Sequence, residues 1–131
     1  MVENNKTVYK IMIVDDDTEV LKTLIKMISK RGYQGFPFES ASNALDFLKV
    51  KKMDLIIVDL KMPEIDGIQF LDRAKRIHFE TPVILITGFS TVDTAVLAME
   101  KGAFDYISKP FELKKIYGVI LRALRIVEGT L

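Results

Sequence analysis

Short apolar runs alternate with amphipathic stretches along the whole chain, and this alternation constrains the fold more than any other feature. Three runs of five or six residues are rich in β-branched residues, namely Tyr9–Val14, Asp54–Val58 and Pro82–Ile86. Nearly continuous apolar runs of this length are typical of parallel strands that are buried on both faces. Two weaker runs lie between and beyond them, at Tyr33–Phe38 and Phe104–Ile107. The sequence therefore predicts five strands.

Each predicted strand is followed by a stretch with apolar residues at helical spacing. The five stripes are Val20–Ile28, Ala41–Leu48, Ile68–Ile77, Val92–Met99 and Ile116–Val127. Cations followed by glycine come after the first and fourth stripes, at positions 30–32 and 101–102, and such residues favour helix ends. Five strand–helix units in series predict an α/β fold with a parallel sheet covered by helices on both faces.

Composition narrows the class of protein further. A chain of 131 residues with 49% hydrophobic residues suits one domain, with a core at about residues 8–127. The absence of cysteine excludes disulfides, thiolate metal sites and thiol nucleophiles. A net charge of +1 argues against a nucleic-acid-binding surface. With no signal peptide and no apolar run near the roughly 20 residues that span a bilayer, we expect a cytoplasmic domain without membrane contact.

Polar residues stand where the predicted strands end. Strand 1 ends in Asp15-Asp16-Asp17, strand 3 in Asp59 and strand 4 in Thr87, and strand 5 is followed by Ser108-Lys109-Pro110. Doubly wound sheets place their functional sites beyond the carboxyl ends of the strands. If strands 1 and 3 are neighbours, at least three carboxylates converge at one edge.

Converging carboxylates require a counter-charge. Two unit charges about 4 Å apart repel by roughly 4 kcal/mol at an effective dielectric constant of 20, so a proton or a cation must relieve them. A few carboxylates with open positions suit Mg²⁺. Lys109 adds a fixed positive charge and Thr87 a hydroxyl donor. Together with the carboxylates and the metal ion, these groups indicate phosphoryl transfer onto an aspartate. Asp17 is better interpreted as the N-cap of the first helix than as a ligand.

Four segments match one known family in both residues and spacing. They are IMIVDDD (Ile11–Asp17), LIIVDLKMPEIDG (Leu55–Gly67), ILITG (Ile84–Gly88) and GAFDYISKPF (Gly102–Phe111). With them, the chain resembles the receiver domain of two-component response regulators, and most of all receivers of the NtrC class, which control σ54-dependent transcription. The resemblance implies one receiver domain over residues 1–131, with a flavodoxin-like (CheY-like), doubly wound, five-stranded parallel sheet in the order 2-1-3-4-5.

The resemblance also implies a role for each acidic residue. Asp59 resembles the phosphoacceptor. Asp15 and Asp16 resemble the metal-binding pair, with Asp16 the more direct ligand. Asp59 and the backbone carbonyl of Lys61 would complete the protein's share of the Mg²⁺ coordination.

Three further residues match the switch machinery of the family. Lys109 resembles the lysine that pairs with the acceptor and then with the phosphoryl oxygens, and its bond to Pro110 is expected to be cis. Thr87 resembles the hydroxyl that moves to the phosphoryl group, and Tyr106 the aromatic that then rotates inward. The face formed by helix 4, strand 5 and helix 5 would change as a result. Its candidate contact residues are Val92, Met99, Phe104, Tyr106 and Val119.

The implied partners are a sensor histidine kinase as the phosphodonor and, through that face, a second copy of the chain or an output domain that regulates transcription. The protein would be a switch that gains and loses its own phosphate, not a turnover enzyme. It would not bind nucleic acid directly. Whether phosphorylation makes or breaks a dimer, and whether the chain is an excised domain or a stand-alone regulator, stays open.

Two variable positions lie beside the predicted acceptor, at Lys61 and Phe89. Lys61 either reaches toward the phosphoryl oxygens or lies in solvent. We expect the long cation and the aromatic ring to hinder the attacking water, so that the phosphorylated state is long-lived.

Three other functions fit the sequence less well. In a haloacid-dehalogenase-like phosphatase, Asp15 and Asp17 would fit the first motif, but Glu19 stands where Thr or Val is expected and no acidic pair follows strand 4. An interaction module of the same fold without phosphorylation would not need the complete residue set. A dinucleotide-binding domain is excluded because no GxGxxG follows strand 1. His78, the only histidine, is interpreted as a surface residue and not as a phosphodonor.

Overall fold

The computed structural model describes residues 8–128, without the side chains of residues 126 and 128. Five strands and five helices alternate along this range. They are β1 (Lys10–Val14), α1 (Thr18–Lys30), β2 (Gln34–Phe38), α2 (Ala41–Leu48), β3 (Leu55–Asp59), α3 (Gly67–Ile77), β4 (Val83–Thr87), α4 (Val92–Glu100), β5 (Asp105–Ser108) and α5 (Leu113–Glu128). All strands are parallel and lie in the order β2-β1-β3-β4-β5, which confirms the predicted α/β fold.

β3 and β4 end at Asp59 and Thr87, as predicted, one residue beyond their apolar runs. Asp59 is paired with Ile86 inside the sheet, so β3 includes the aspartate. Thr87 is likewise the last residue of β4 and pairs with Ser108. Backbone pairing does not depend on side-chain hydrophobicity, so a polar residue can be the last residue of a buried strand. As a result, Asp59 and Thr87 are held by the sheet and not by flexible loops.

The central strands are buried because helices cover both faces of the sheet. Alternate residues of β1, β3 and β4 point to opposite sides, as strand geometry requires. One side packs against α2, α3 and Ala98 of α4 through Met12, Ile56, Val58, Val83 and Leu85. The other packs against α1 and α5 through Ile11, Ile13, Leu55, Ile57, Ile84 and Ile86. Each fully buried side chain of this kind contributes about 1.5–3 kcal/mol to the hydrophobic free energy of folding.

Local signals correctly placed the start of α1 and the ends of α1 and α4, whereas the N-cap of α4 is Thr91 and not Ser90. The Asp17 carboxylate accepts the backbone N–H groups of Glu19 and Val20, as predicted for the N-cap of α1. Gly32 and Gly102 follow α1 and α4 with φ angles of +85° and +100°, a conformation that glycine adopts without steric cost. The Lys109–Pro110 bond is cis, as expected.

One prediction about surface residues, Val119, was wrong, and two others, Phe104 and His78, are only partly exposed. Val119 is only 3% exposed, because it lies on the apolar face of α5 that packs against the sheet, so it is not available as a contact residue. Phe104 is half-buried against the same cluster. His78 is half-buried too, since its Nε2 lies 2.9 Å from the carbonyl oxygen of Leu48 and joins α3 to α2.

None of the described helices combines the length and the apolar character that a membrane crossing needs.

Gly67 lets the start of α3 lie against the end of β3. A Cβ at this position would be 2.7 Å from Cα of Leu60, 2.8 Å from the carbonyl oxygen of Asp59 and 2.8 Å from Cδ2 of Leu85. Two of these atoms belong to the backbone and do not yield easily. We therefore expect Gly67→Ala to lower the free energy of unfolding by about 1–3 kcal/mol in urea titrations.

Gly118 provides the matched control for that substitution. It lies inside α5, and a Cβ there would meet nothing within 4 Å. Gly118→Ala should therefore raise the free energy of unfolding by about 0.5–1 kcal/mol through the better helix propensity of alanine. Equal stability of the two variants would contradict the close-packing argument.

Candidate functional site

Three carboxylates converge at the carboxyl edge of the sheet, as predicted. β1 and β3 are neighbours, and Val14 is in register with Val58, so the residues that follow them lie side by side. Carboxylate oxygens of Asp15, Asp16 and Asp59 all lie within 4.8 Å of one another. Asp15 and Asp59 are buried, whereas Asp16 is exposed at the mouth of the cluster.

Lys109, which directly follows β5, supplies the positive charge that compensates these carboxylates. Its Nζ lies 3.0 Å from Oδ2 of Asp15 and 3.7 Å from Oδ2 of Asp59. The other oxygen of Asp15 accepts the backbone N–H of Asp17 at 2.9 Å. Lys109 thus forms the ion pair with Asp59 that the resemblance implied, and its hydrogen bond goes to Asp15. Both oxygens of Asp15 are therefore engaged, and Asp59 is the carboxylate less fully compensated.

One carboxylate oxygen of Asp59 is free to bind a ligand. Its Oδ1 is buried and has no hydrogen-bond partner among the described residues. Burial, reinforced by the negative charge of Asp15 and opposed by Lys109, raises the pKa of Asp59 from 3.8 to about 6. Burial also raises the pKa of Asp15, although its bonds to Asp17 and Lys109 oppose the shift. An unpartnered buried oxygen among three carboxylates fits a hard cation that takes oxygen ligands.

Thr87 lies at the same edge, one strand away from Asp59. Its hydroxyl oxygen is buried and accepts the backbone N–H of Phe89 at 3.0 Å. Its carbonyl oxygen accepts the N–H of Lys109 at 2.8 Å, which ties the ends of β4 and β5 together. The hydroxyl is thus engaged by the loop that leads into α4.

Tyr106 stands on β5, half-buried against the core cluster on the side of α2, α3 and α4. Its hydroxyl lies 2.7 Å from Oγ1 of Thr94 in α4. Thr94 was not among the site residues predicted from the sequence. Hydroxyl residues at the start of the fourth predicted helix, at positions 91 and 94, were the available signal.

Lys61 and Phe89 come from different loops and meet at the rim of the site. The Lys61 Nζ lies 5.1 Å from the centroid of the Phe89 ring, within the range of a cation–π contact. Phe89 is 63% exposed. Lys61 is exposed, so of the two positions that were open for it the solvent position describes it, with its ammonium group above the Phe89 ring.

Comparison with known proteins agrees with this geometry. The model of the response regulator receiver domain family matches residues 11–121. The chain is 38% identical over 112 residues to the transcriptional regulator NtrC of Klebsiella pneumoniae, covering 86% of this chain and 24% of that protein. It is 36% identical over 117 residues to the regulatory protein AtoC of Escherichia coli, covering 89% and 25%. The chain thus spans about a quarter of the length of these relatives.

Solved structures give the same family. The beryllofluoride-activated NtrC4 receiver domain dimer has a TM-score of 0.86 and 30% identity, with 90% of this chain and 98% of that chain covered. A CheY-like receiver domain protein from Methanospirillum hungatei has a TM-score of 0.90 and 26% identity, with 94% and 98% covered. The chain belongs to the response regulator receiver domain family and is close to the NtrC-type regulators.

Proposed function

We propose that the chain is a phosphoacceptor switch in which Asp59 receives a phosphoryl group from a sensor histidine kinase. The observation that carries the proposal is the buried, unpartnered Oδ1 of Asp59 beside Asp15, Asp16 and Lys109. A carboxylate oxygen of Asp59 attacks the phosphorus of a phosphohistidine. A phosphorus–oxygen bond forms, the phosphorus–nitrogen bond breaks, and its electron pair stays on the imidazole.

The donor set fits Mg²⁺. Asp15, Asp16, Asp59 and the backbone carbonyl of Lys61 would hold the ion, which would neutralise charge on the acceptor and on the phosphoryl oxygens. Lys109 is already within 3.7 Å of Asp59 and would shift its ammonium group toward the new oxygens.

The transferred group changes the hydrogen bonding of the site. A phosphoryl group adds charge and three strong acceptor oxygens. The Thr87 hydroxyl can donate its proton to one of them, which draws Thr87 and the loop from Gly88 to Thr91 inward. The space left beside β4 is taken by Tyr106, so that α4, β5 and α5 repack.

The repacked face carries an apolar stripe that suits a protein partner. On α4, Val92 is 79% exposed, and Val96 and Met99 are also exposed. A solved NtrC4 receiver activated by beryllofluoride is a dimer. We infer that this face contacts a second copy or an attached output domain, with transcription regulation as the result.

The decisive test is whether Asp59 becomes covalently phosphorylated. Incubation with acetyl phosphate and Mg²⁺ should add the mass of one phosphoryl group to the wild type and none to Asp59→Asn. Asp46→Asn, at an exposed α2 residue, is the control that should be modified normally. No added mass on the wild type contradicts the proposal. Continuous release of many phosphates per chain would indicate a phosphatase of the haloacid-dehalogenase-like class instead of a switch.

The contact between Lys61 and Phe89 should slow the loss of phosphate by covering the approach of water. A cation–π contact at an exposed site contributes about 0.5–1 kcal/mol. If hydrolysis requires it to open, Lys61→Ala and Phe89→Ala should each shorten the phosphoryl lifetime about twofold to fivefold. The double variant should lose little more, because either change removes the contact. The lifetime is measured by the decay of the phosphorylated mass.

Phe79→Ala is the matched control for this effect. Phe79 is also exposed and also lies near a lysine, with the Lys75 Nζ 5.9 Å from its ring, but it lies between α3 and β4, at the end of the sheet opposite the site. Its phosphoryl lifetime should equal that of the wild type. Faster loss of phosphate from the wild type than from the double variant would refute the shielding hypothesis.

A further inference from the structure

The hydroxyl of Thr94 belongs to two structural units at once. It forms the capping box at the start of α4, where Thr91 is the N-cap. Oγ1 of Thr94 lies 3.1 Å from the backbone nitrogen of Thr91, 3.1 Å from its carbonyl oxygen and 2.9 Å from its Oγ1. It also lies 2.7 Å from the hydroxyl of Tyr106 on β5, the shortest of the four distances.

The number of protons and lone pairs decides how these four contacts are used. A hydroxyl has one proton to donate and two lone pairs that accept. The Thr91 N–H can only donate to Thr94, and the Thr91 carbonyl can only accept the Thr94 proton. When the Thr94 proton is donated to that carbonyl, one lone pair is left, and the hydroxyls of Tyr106 and Thr91 can each donate to it. The shorter distance favours donation by Tyr106.

Turning of the Tyr106 ring would therefore transfer this lone pair from one partner to another. If the ring leaves, the Thr91 hydroxyl, already 2.9 Å away, can donate in its place. The helix start then keeps its hydrogen bonds in both orientations of the ring, and only the tyrosine loses its partner in α4. The bond is thus a direct link between the orientation of Tyr106 and the first turn of α4.

We propose that Thr94 is a positioning residue that holds Tyr106 in its present orientation and so sets how readily the switch turns. The inference rests on the proposed function, because it concerns the rotation that phosphorylation is proposed to favour. A net hydrogen bond of about 1 kcal/mol corresponds to a shift of about fivefold in the balance between the two orientations. Removal of the Thr94 hydroxyl should therefore favour the rotated state without any phosphate.

The first experiment reads the orientation of Tyr106 directly. The protein, which has four tyrosines, is labelled with fluorotyrosine, and Tyr106→Phe identifies the Tyr106 resonance in the fluorine NMR spectrum. Addition of beryllofluoride and Mg²⁺ to the wild type gives the position of the activated state. Thr94→Val should move the resonance toward that position in the absence of beryllofluoride. Thr94→Ser keeps the hydroxyl and should leave it in place.

The second experiment separates this role from a merely structural one at the helix cap. Beryllofluoride binding in the presence of Mg²⁺ is measured for Thr94→Val, Tyr106→Phe and the double variant. Each single variant should bind about threefold to tenfold more tightly than the wild type, and the double variant no more tightly than either. Tyr106→Phe leaves the Thr91–Thr94 capping box intact, so it tests the bond even if Thr94→Val perturbs α4.

The outcomes distinguish the inference from the proposed function. If beryllofluoride moves the wild-type Tyr106 resonance but Thr94→Val leaves it at the wild-type position, the inference is overturned and the proposed function stands. Additive effects of Thr94→Val and Tyr106→Phe on binding would also overturn the inference. If beryllofluoride neither binds to the wild type nor moves the resonance, the proposed function fails, and the inference fails with it.

Discussion

Replacing Lys109 with methionine is expected to lower the free energy of unfolding by about 3 kcal/mol at neutral pH in metal-free buffer. The lysine is 3.0 Å from a buried oxygen of Asp15 and 3.7 Å from one of Asp59, and only 21% of its side chain is exposed. Methionine retains most of the aliphatic volume but removes the charge. Two buried carboxylates would then face each other without a cation.

The loss of stability in Lys109→Met should be larger at neutral pH than at acid pH. Lys109 lowers the pKa of both carboxyl groups, so its removal raises both values further above 3.8. The folded variant then binds more protons than the unfolded chain, and its stability falls as the pH rises from about 4. Urea titrations at several pH values should show the deficit of Lys109→Met shrinking toward acid pH, where the carboxylates are protonated.

Two further variants make the comparison specific. Lys22→Met removes an exposed lysine whose ion pair with Glu19 is 3.8 Å long, and we expect a change of less than about 0.5 kcal/mol. Combining Lys109→Met with Asp59→Asn removes one of the two facing charges and should recover part of the stability. If Lys109→Met is as stable as Lys22→Met, the lysine does not compensate the cluster.

The location of this cluster could be predicted from the sequence, because backbone topology determines it. Parallel strands bring their carboxyl ends to one edge. It was therefore enough to identify the strands and the polar residues that end them. The N-cap role of Asp17 was predictable for a similar reason, since its partners Glu19 and Val20 lie two and three residues away.

Side-chain partners across the site could not be predicted in the same way. The choice of Lys109 between Asp15 and Asp59 depends on differences of less than 1 Å between the folded side chains. The contact of Lys61 with Phe89 joins residues 28 positions apart in two different loops. Val119 shows another limit, because the stripe of α5 was identified correctly while one of its inward residues was still assigned to the surface.

Asp59→Asn should have the opposite effect to the loss of Lys109 and stabilise the protein in the absence of metal. Because the pKa of Asp59 is raised from 3.8 to about 6, the folded state holds a proton that the unfolded chain has released across this range. The native protein therefore loses stability as the pH rises from about 4 to about 6. At neutral pH the ionised carboxylate costs about 2–3 kcal/mol, and asparagine, which cannot ionise, avoids that cost.

The pH profile separates this explanation from a simple packing effect of the amide. Thermal or urea unfolding of wild type and Asp59→Asn, with a chelator present, should give a difference that is near zero at pH 4 and reaches about 2 kcal/mol above pH 7. Asp46→Asn, at an exposed residue of α2, should show no such profile. Mg²⁺ should reduce the difference in unfolding free energy between Asp59→Asn and the wild type, because it stabilises the wild type more than the variant. A difference that stays constant from pH 4 to pH 8 would mean that the charge of Asp59 is not what destabilises the native state.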